Sequence, residues 1–198
     1  MFAKVDREIL VHNDRYALSK IVESDREKYV ELQRQINGDA TFFRNPLSKD
    51  IMWDSVLSDK GLFVILDEKM NFCGSVELKD ELRTPEIGIS ILEKYRNKGI
   101  AGNAVDLLME LTYDPQSIDY YLVRIESDNV HSRHVFEKMG AEYLGEDMST
   151  LERFKEYLTK NNWEEKHKEE LSDLYSALEG DAKVVRYKLD FKHKFYNN

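Results

Sequence analysis

The 198-residue chain is predicted to fold as one mixed α/β domain, a sheet flanked by helices. Three observations carry that expectation. Short apolar runs that read as strands recur between residues 62 and 126, with period-2 alternation at Ile87, Ile89 and Ile91. Segments with apolar residues at helical spacing lie between and around them. No repeat and no Gly/Ser/Pro-rich linker divides the chain, which holds only 9 Gly and 3 Pro.

Residues 14–22 read as a first strand. Ser24-Asp25-Arg26-Glu27 has capping-box spacing, with Ser24 at the N-cap and Glu27 at N3. The helix that follows carries Tyr29, Val30, Leu32, Gln33 and Ile36 at helical spacing until Asn37-Gly38 stops it. Trp53, Val56 and Leu57 suggest a second short helix after Pro46. Residues 62–66 and 73–78 flank a polar turn at 67–71 and read as a hairpin. After Arg83-Thr84-Pro85, the alternation of Ile87, Ile89 and Ile91 marks another strand over 86–91.

A helix is expected to begin near Gly99, with Val105, Leu107, Leu108 and Leu111 on its apolar face and Pro115 beyond its end. Residues 120–126 form a strand, 130–139 a helix stopped by Gly140, and 141–145 a further strand. Residues 149–179 read as two charged helices, with capping spacing at Ser149 to Glu152 and at Asn162 to Glu165. Residues 182–191 supply the last strand.

Charge and composition exclude several function classes. The net charge of −9 argues against a general binder of nucleic-acid backbone, which shows a basic face. No run approaches the roughly 18 apolar residues that span a bilayer, and the charged N-terminal stretch lacks a signal-peptide core, so a cytoplasmic protein is expected. The lone Cys73 cannot form an internal disulfide and reads as a small core residue. His12, His131, His134, His167 and His193 are scattered without ligand spacing, so no metal is expected.

The chemistry concentrates between residues 87 and 102, where a strand runs into a basic, glycine-containing loop and a helix starts on the far side. The start of a helix presents unpaired N–H groups and the positive end of its dipole, so it holds a phosphate without side-chain ligands. Gly99 permits close backbone approach, Ala101 and Gly102 keep the first turn free of bulk, and Arg96 and Lys98 add positive charge. A Walker A loop is excluded because Lys98-Gly99 runs in the wrong order and no hydroxyl follows; Gly88, Gly99 and Gly102 do not fit a Rossmann fingerprint. The plainer alternative is a strand-to-helix turn with solvated Arg and Lys side chains.

Arg96-Asn97-Lys98-Gly99-Ile100-Ala101 resembles the Gln/Arg-x-x-Gly-x-Gly/Ala pyrophosphate loop of the Gcn5-related N-acetyltransferases. About thirty residues on, Asn129, Ser132, Phe136 and Gly140 resemble that family's second motif. Together the motifs look most like the branch of ribosomal-protein N-terminal and small-amine acetyltransferases. The resemblance implies a mixed, mostly antiparallel sheet, with the helical pair at about 149–180 as an insertion before the last strand. It implies acetyl transfer from acetyl-CoA to an amine by direct attack in a ternary complex. The strand backbone around Ile89 and Ile91 would bond the pantetheine arm, and backbone N–H groups from Arg96 to Gly102 would cradle the pyrophosphate. Asn129 would contact the pantetheine end, with Ser132 and Phe136 lining the thiol channel.

Direct attack needs a neutral amine, and an amine with a pKa near about 10.4 is mostly protonated at neutral pH, so a base helps. The candidates are Glu77 and Glu86 on neighbouring strands, with Glu126 a weaker third; each can equally be a strand-end surface carboxylate. Phe136 stands where many family members carry Tyr and cannot donate a proton; Ser132 is the alternative hydrogen-bond donor to the departing sulfur. Residues 146–179 hold 5 basic and 10 acidic side chains, which suits either a solvated amphipathic pair or an acidic lid or dimer contact. The acceptor is left open among polyamines, amino sugars, amino acids and protein N-termini. The rival from another class is a non-catalytic acyl-CoA-binding regulatory module.

Overall fold

The computed structural model describes residues 7–37, 46–79, 83–148, 156, 159, 160 and 183–191. In chain order these form β1 (Ile9–His12), β2 (Tyr16–Lys20), α1 (Arg26–Asn37), α2 (Pro46–Ser58), β3 (Leu62–Asp67), β4 (Phe72–Lys79) and β5 (Glu86–Ile91). There follow α3 (Ile100–Thr112), β6 (Tyr121–Glu126), α4 (Val130–Lys138), β7 (Glu142–Asp147) and β8 (Val184–Leu189). The chain divides into two compact units, one of Met1–Tyr121 with Asp190–Asn198 and one of Leu122–Leu189. Among the described residues no helix is long and apolar enough to cross a membrane.

In the first unit the strands lie in the order β1-β2-β3-β4-β5, and each neighbouring pair is antiparallel. The β3–β4 hairpin is set by Asp67, whose Oδ1 accepts from the N–H groups of Lys69 at 2.9 Å and Asn71 at 2.8 Å. That side-chain-to-backbone turn lets Met70 sit at a φ of 64°. Successive residues of a strand point to opposite faces, and residues paired across an antiparallel ladder share one. Leu62, Val64 and Leu66 therefore bury one face, against Tyr29 and Leu32 of α1 and Trp53 and Val56 of α2. Phe63, Ile65 and Val76 are buried on the opposite face, where α3 lies across β1, β2, β4 and β5.

Ile65 is fully buried in the middle of this sheet. Shortening it by one methylene in Ile65→Val is expected to cost about 0.5–1.5 kcal/mol of unfolding free energy. Urea denaturation followed by circular dichroism measures it, and a cost near zero would show that the site collapses around the loss.

The N-terminal part departs from the sequence reading in two ways. The predicted strand over 14–22 is only its second half: β1 precedes it and pairs with it antiparallel around a turn in which Asn13 Oδ1 accepts from the N–H of Arg15 and of Tyr16, each at 2.9 Å. β1 is four residues long, too short for alternation to announce it. The capping residue also differs. Ser24 lies inside a 3-10 turn at Glu23–Asp25, and the Asp25 carboxylate accepts from the Val22 N–H at 2.9 Å. Asp25 is only 6% exposed and is paired with Arg7, so the carboxylate is fixed where it can serve this end. Exposure further separates the predicted apolar faces: Ile36 and Leu57 are 48% and 41% exposed and lie outside the core.

In the second unit the order is β6-β8-β7, with β7 antiparallel to β8. Tyr187 of β8 ties α4 down: its hydroxyl accepts from Arg133 Nε at 3.1 Å and donates to Glu137 Oε1 at 2.9 Å. Gly140, at a φ of 85°, ends α4 as the sequence requires. The predicted helical pair at 149–179 lies outside the described residues apart from 156, 159 and 160, which are helical.

Candidate functional site

The turn between β5 and α3 has the form of an anion cradle. Leu92 is fully buried and anchors its start, and a single 3-10 turn at Glu93–Tyr95 brings the chain to Arg96. Asn97 at φ 61° and Gly99 at φ 74° then take left-handed conformations, tolerable for Asn and free for Gly. These two residues swing the backbone so that α3 opens directly on Gly99. The Gly99 carbonyl accepts from Asn103 Nδ2 at 2.9 Å, which fixes the turn from inside.

No side chain caps the start of α3, and its first turn contains no acidic residue. Residues 96–99 are exposed, and among the described residues a Cβ built on Gly99 meets nothing within 4 Å, so the space beside Gly99 is open. The basic side chains rest on local contacts. Arg96 Nε donates to the Ile91 carbonyl at 3.2 Å, and Lys98 Nζ donates to the Lys94 carbonyl at 2.9 Å. Such exposed contacts are weak. Arg96, Asn97, Lys98 and Gly99 thus form the exposed part of the turn, with Ile100 buried and Ala101 and Gly102 half-buried at the start of α3.

Upstream, on the α1 side of the sheet, lies a small polar recess of about 30 Å³. Its wall includes Tyr29 and Gln33 from α1, Ser75 and Glu77 from β4, and Gly88 and Ser90 from β5. The register explains the cluster: Glu77 is opposite Gly88 and Ser75 is opposite Ser90, so all four share one face. The Glu77 side chain lies across Gly88, where an added Cβ would come within 2.7 Å of Glu77 Cγ. Any larger residue at that position would push the Glu77 side chain aside. The volume admits one or two water-sized groups, such as the nitrogen of an amine or a relaying water.

Tyr29 is held neutral in this recess. Its phenol is pushed up to about 12 by burial, with the Glu77 and Asp59 carboxylates adding to the effect. Glu86 lies on the same face as Glu77; its side chain is only 12% exposed, so it is not a free surface carboxylate. Ile89 and Ile91 alternate to the opposite face, paired with Val76 and Gly74. Glu126 ends β6 in the second unit and is exposed.

The sequence reading missed Ser75, Ser90, Tyr29 and Gln33 as wall residues. Ser75 shares strand parity with Glu77, as Ser90 does with Glu86 and Gly88, and Tyr29 and Gln33 stand four apart on one helix face. What parity lacks is the register that sets the two strands against each other.

The second motif forms the start of α4. Asn129 is its N-cap, with Oδ1 accepting from the Ser132 N–H at 3.0 Å. Ser132 is partly exposed on the first turn, and Phe136 is 2% exposed. His131 and His134 are exposed on the same helix, and no group of metal-binding side chains occurs among the described residues.

Cys73 is fully buried on β4, and burial, reinforced by Asp67, pushes its thiol up to about 12. It is a thiol rather than a thiolate at neutral pH, which agrees with its reading as a core residue. Native protein at pH 7–8 is expected to resist a disulfide-exchange reagent such as Ellman's, while urea-unfolded protein reacts with one equivalent. Rapid labelling of the folded chain would contradict this.

Comparison with known proteins adds a family to this geometry. The model of the acetyltransferase (GNAT) domain matches residues 15–142. The N-acetyltransferase 9-like protein of Caenorhabditis elegans is 26% identical over 183 residues, covering 89% of this chain and 77% of that protein. Among solved structures, the ribosomal-protein-S5-alanine acetyltransferase from Vibrio fischeri aligns with a TM-score of 0.64 at 15% identity, over 94% of this chain and 98% of that one. The spermidine N-acetyltransferase from Vibrio cholerae, in complex with CoA and spermine, aligns with a TM-score of 0.56 at 20% identity, over 68% of this chain and 85% of that one.

Proposed function

Since the chain belongs to the GNAT acetyltransferase family and is an N-acetyltransferase with acetyl-CoA as co-substrate, we propose that its acceptor is a cationic primary amine, acetylated by direct attack. The observation that carries this reading is the Glu77 carboxylate in a polar recess, on a sheet whose next strand runs straight into the open turn at 96–102. A carboxylate of this kind attracts an ammonium and then takes its proton. The names of two structural relatives, one for the alanine of ribosomal protein S5 and one for spermidine, are in keeping with an amine.

Bound acetyl-CoA supplies an activated acetyl thioester. The chain's own residues do the rest. Amides from Arg96 to Gly102 bind the diphosphate at the positive end of the α3 dipole, and the β5 backbone at Ile89 and Ile91 orients the pantetheine arm. From the second motif, the family resemblance would give Asn129 the pantetheine end and Ser132 the hydrogen bond to the departing sulfur, whereas Phe136, 2% exposed, is a core residue rather than a lining one. Glu77 receives the proton of the attacking nitrogen, directly or through one water, and Tyr29, Gln33, Ser75 and Ser90 position that nitrogen.

The test is release of free CoA from acetyl-CoA across polyamines, aminoglycosides, amino acids and peptides with free N-termini. Turnover with at least one cationic primary amine is expected. A thermal shift with acetyl-CoA but no release with any amine would favour the regulatory-module alternative, and no thermal shift at all would remove the placement of the diphosphate.

A further inference from the structure

Three charged side chains line up where β4 and β5 run together. Lys79 Nζ is 3.2 Å from Glu77 Oε1 and 3.6 Å from Glu86 Oε1. The register puts them there: Lys79 pairs with Glu86 and Glu77 with Gly88, so all four residues share the recess face. Exposure grades across the row, with side-chain values of 12% for Glu86, 36% for Glu77 and 55% for Lys79. The ammonium is thus anchored by a nearly buried carboxylate on one strand while it touches the more accessible one on its own strand.

Two carboxylates brought to one sheet face repel each other, and repulsion favours either protonation of one or its withdrawal into solvent. Glu77 lies over Gly88, where an added Cβ would meet its side chain and push it aside. We infer that Lys79 is the positioning residue for Glu77, holding its carboxylate across Gly88 at the recess. This rests on the reading of Glu77 as the proton acceptor and assigns what keeps it in place.

Among the described residues, Tyr29 on α1 and Lys79 on its own strand interact with Glu77, with Glu86 on β5 paired to the same Lys79; Asp59, just before β3, acts on the same Tyr29. Tyr29 is neutral and Asp59 and Glu86 are acidic, and Lys79 brings the positive charge to this set. Burial works against the Lys79 charge, but Glu77 and then Glu86 outweigh it, and its pKa ends above the ordinary lysine value. The cation therefore persists throughout the range in which a carboxylate titrates.

The experiment follows the Glu77 side-chain carboxyl by carbon-13 NMR against pH, with the resonance assigned through Glu77→Gln, in the wild type, Lys79→Met and Lys79→Arg. Loss of an adjacent cation raises a carboxylate pKa. Lys79→Met is expected to move the midpoint up, and Lys79→Arg to restore it. Raising the ionic strength to 1 M should move the wild-type midpoint in the same direction by screening the pair, a measurement that needs no folded variant. The acid limb of kcat/KM with spermidine as the amine should follow the carboxyl midpoint across the three proteins. A midpoint indifferent to both salt and Lys79→Met would overturn the inference. Full turnover by Glu77→Gln would instead remove Glu77 as the base, a failure of the underlying reading that the carboxyl titration distinguishes.

Discussion

Glu77→Gln is expected to lower kcat/KM for the accepted amine by about 10²- to 10⁴-fold, the range a positioned general base contributes. The substitution keeps the volume that lies across Gly88 and removes only the capacity to take a proton. The fold should not suffer, because Glu77 is partly exposed and its ion pair with Lys79 is of the surface kind, worth little to stability. Acetyl-CoA affinity should likewise hold, since the diphosphate cradle lies beyond the other end of β5. The discriminating measurement is a pair: steady-state kinetics with the best amine from the panel, and calorimetric titration of acetyl-CoA. Loss of turnover with unchanged affinity is the expected result, and undiminished turnover would pass the role to Glu86 or to water.

The second large effect falls on the cradle itself. Gly99→Val is expected to weaken acetyl-CoA binding by about ten- to a hundredfold, a differential of about 1.4–2.7 kcal/mol. Two causes add. A β-branched residue is strained at a φ of +74°, by about 1–2 kcal/mol, which pulls the turn away from its shape. Its methyl groups also enter the open space beside the turn, where the proposed diphosphate would sit. Because none of the other described residues lies within 4 Å of that Cβ, they offer the new side chain no clash there. Gly99→Asn separates the causes, since Asn accepts left-handed backbone: it should lose less stability than Val yet still weaken binding by adding a side chain. Titration calorimetry reads the affinity and thermal unfolding reads the strain. Wild-type affinity in Gly99→Val would move the diphosphate to another part of the molecule.

Much of this protein was legible in the residues because the relevant forces are local. The alternation of Ile87, Ile89 and Ile91 dictates a strand, Gly99 dictates where the next helix can open, and Gly140 ends the helix before it. The cradle at 96–102 is a property of some seven consecutive residues, so its composition and its geometry arrive together. Burial of Cys73 followed from its place in an alternating run.

Elsewhere a local pattern pointed to one residue and the tertiary structure used another. Ser24 had the spacing of an N-cap, yet Asp25 does the capping at that end because Arg7, eighteen positions upstream and on another segment, holds its carboxylate in place. β1 escaped notice because four residues carry too little periodicity, and it exists as a strand through pairing with β2. The two candidate bases were named from the sequence, but as separate strand-end carboxylates.

Parity within a strand is an intrinsic property of the chain, and from it alone Ser75, Glu77 and Lys79 share one face of β4, as Glu86, Gly88 and Ser90 share one face of β5. Register between strands is not intrinsic, because a slip of one residue is decided by the burial of Leu62, Val64 and Leu66 beneath α1 and α2, far away in sequence. That packing set Glu77 over Gly88 and Lys79 between two carboxylates. The residues thus specified the chemistry available, and the hydrophobic core decided which of them would meet.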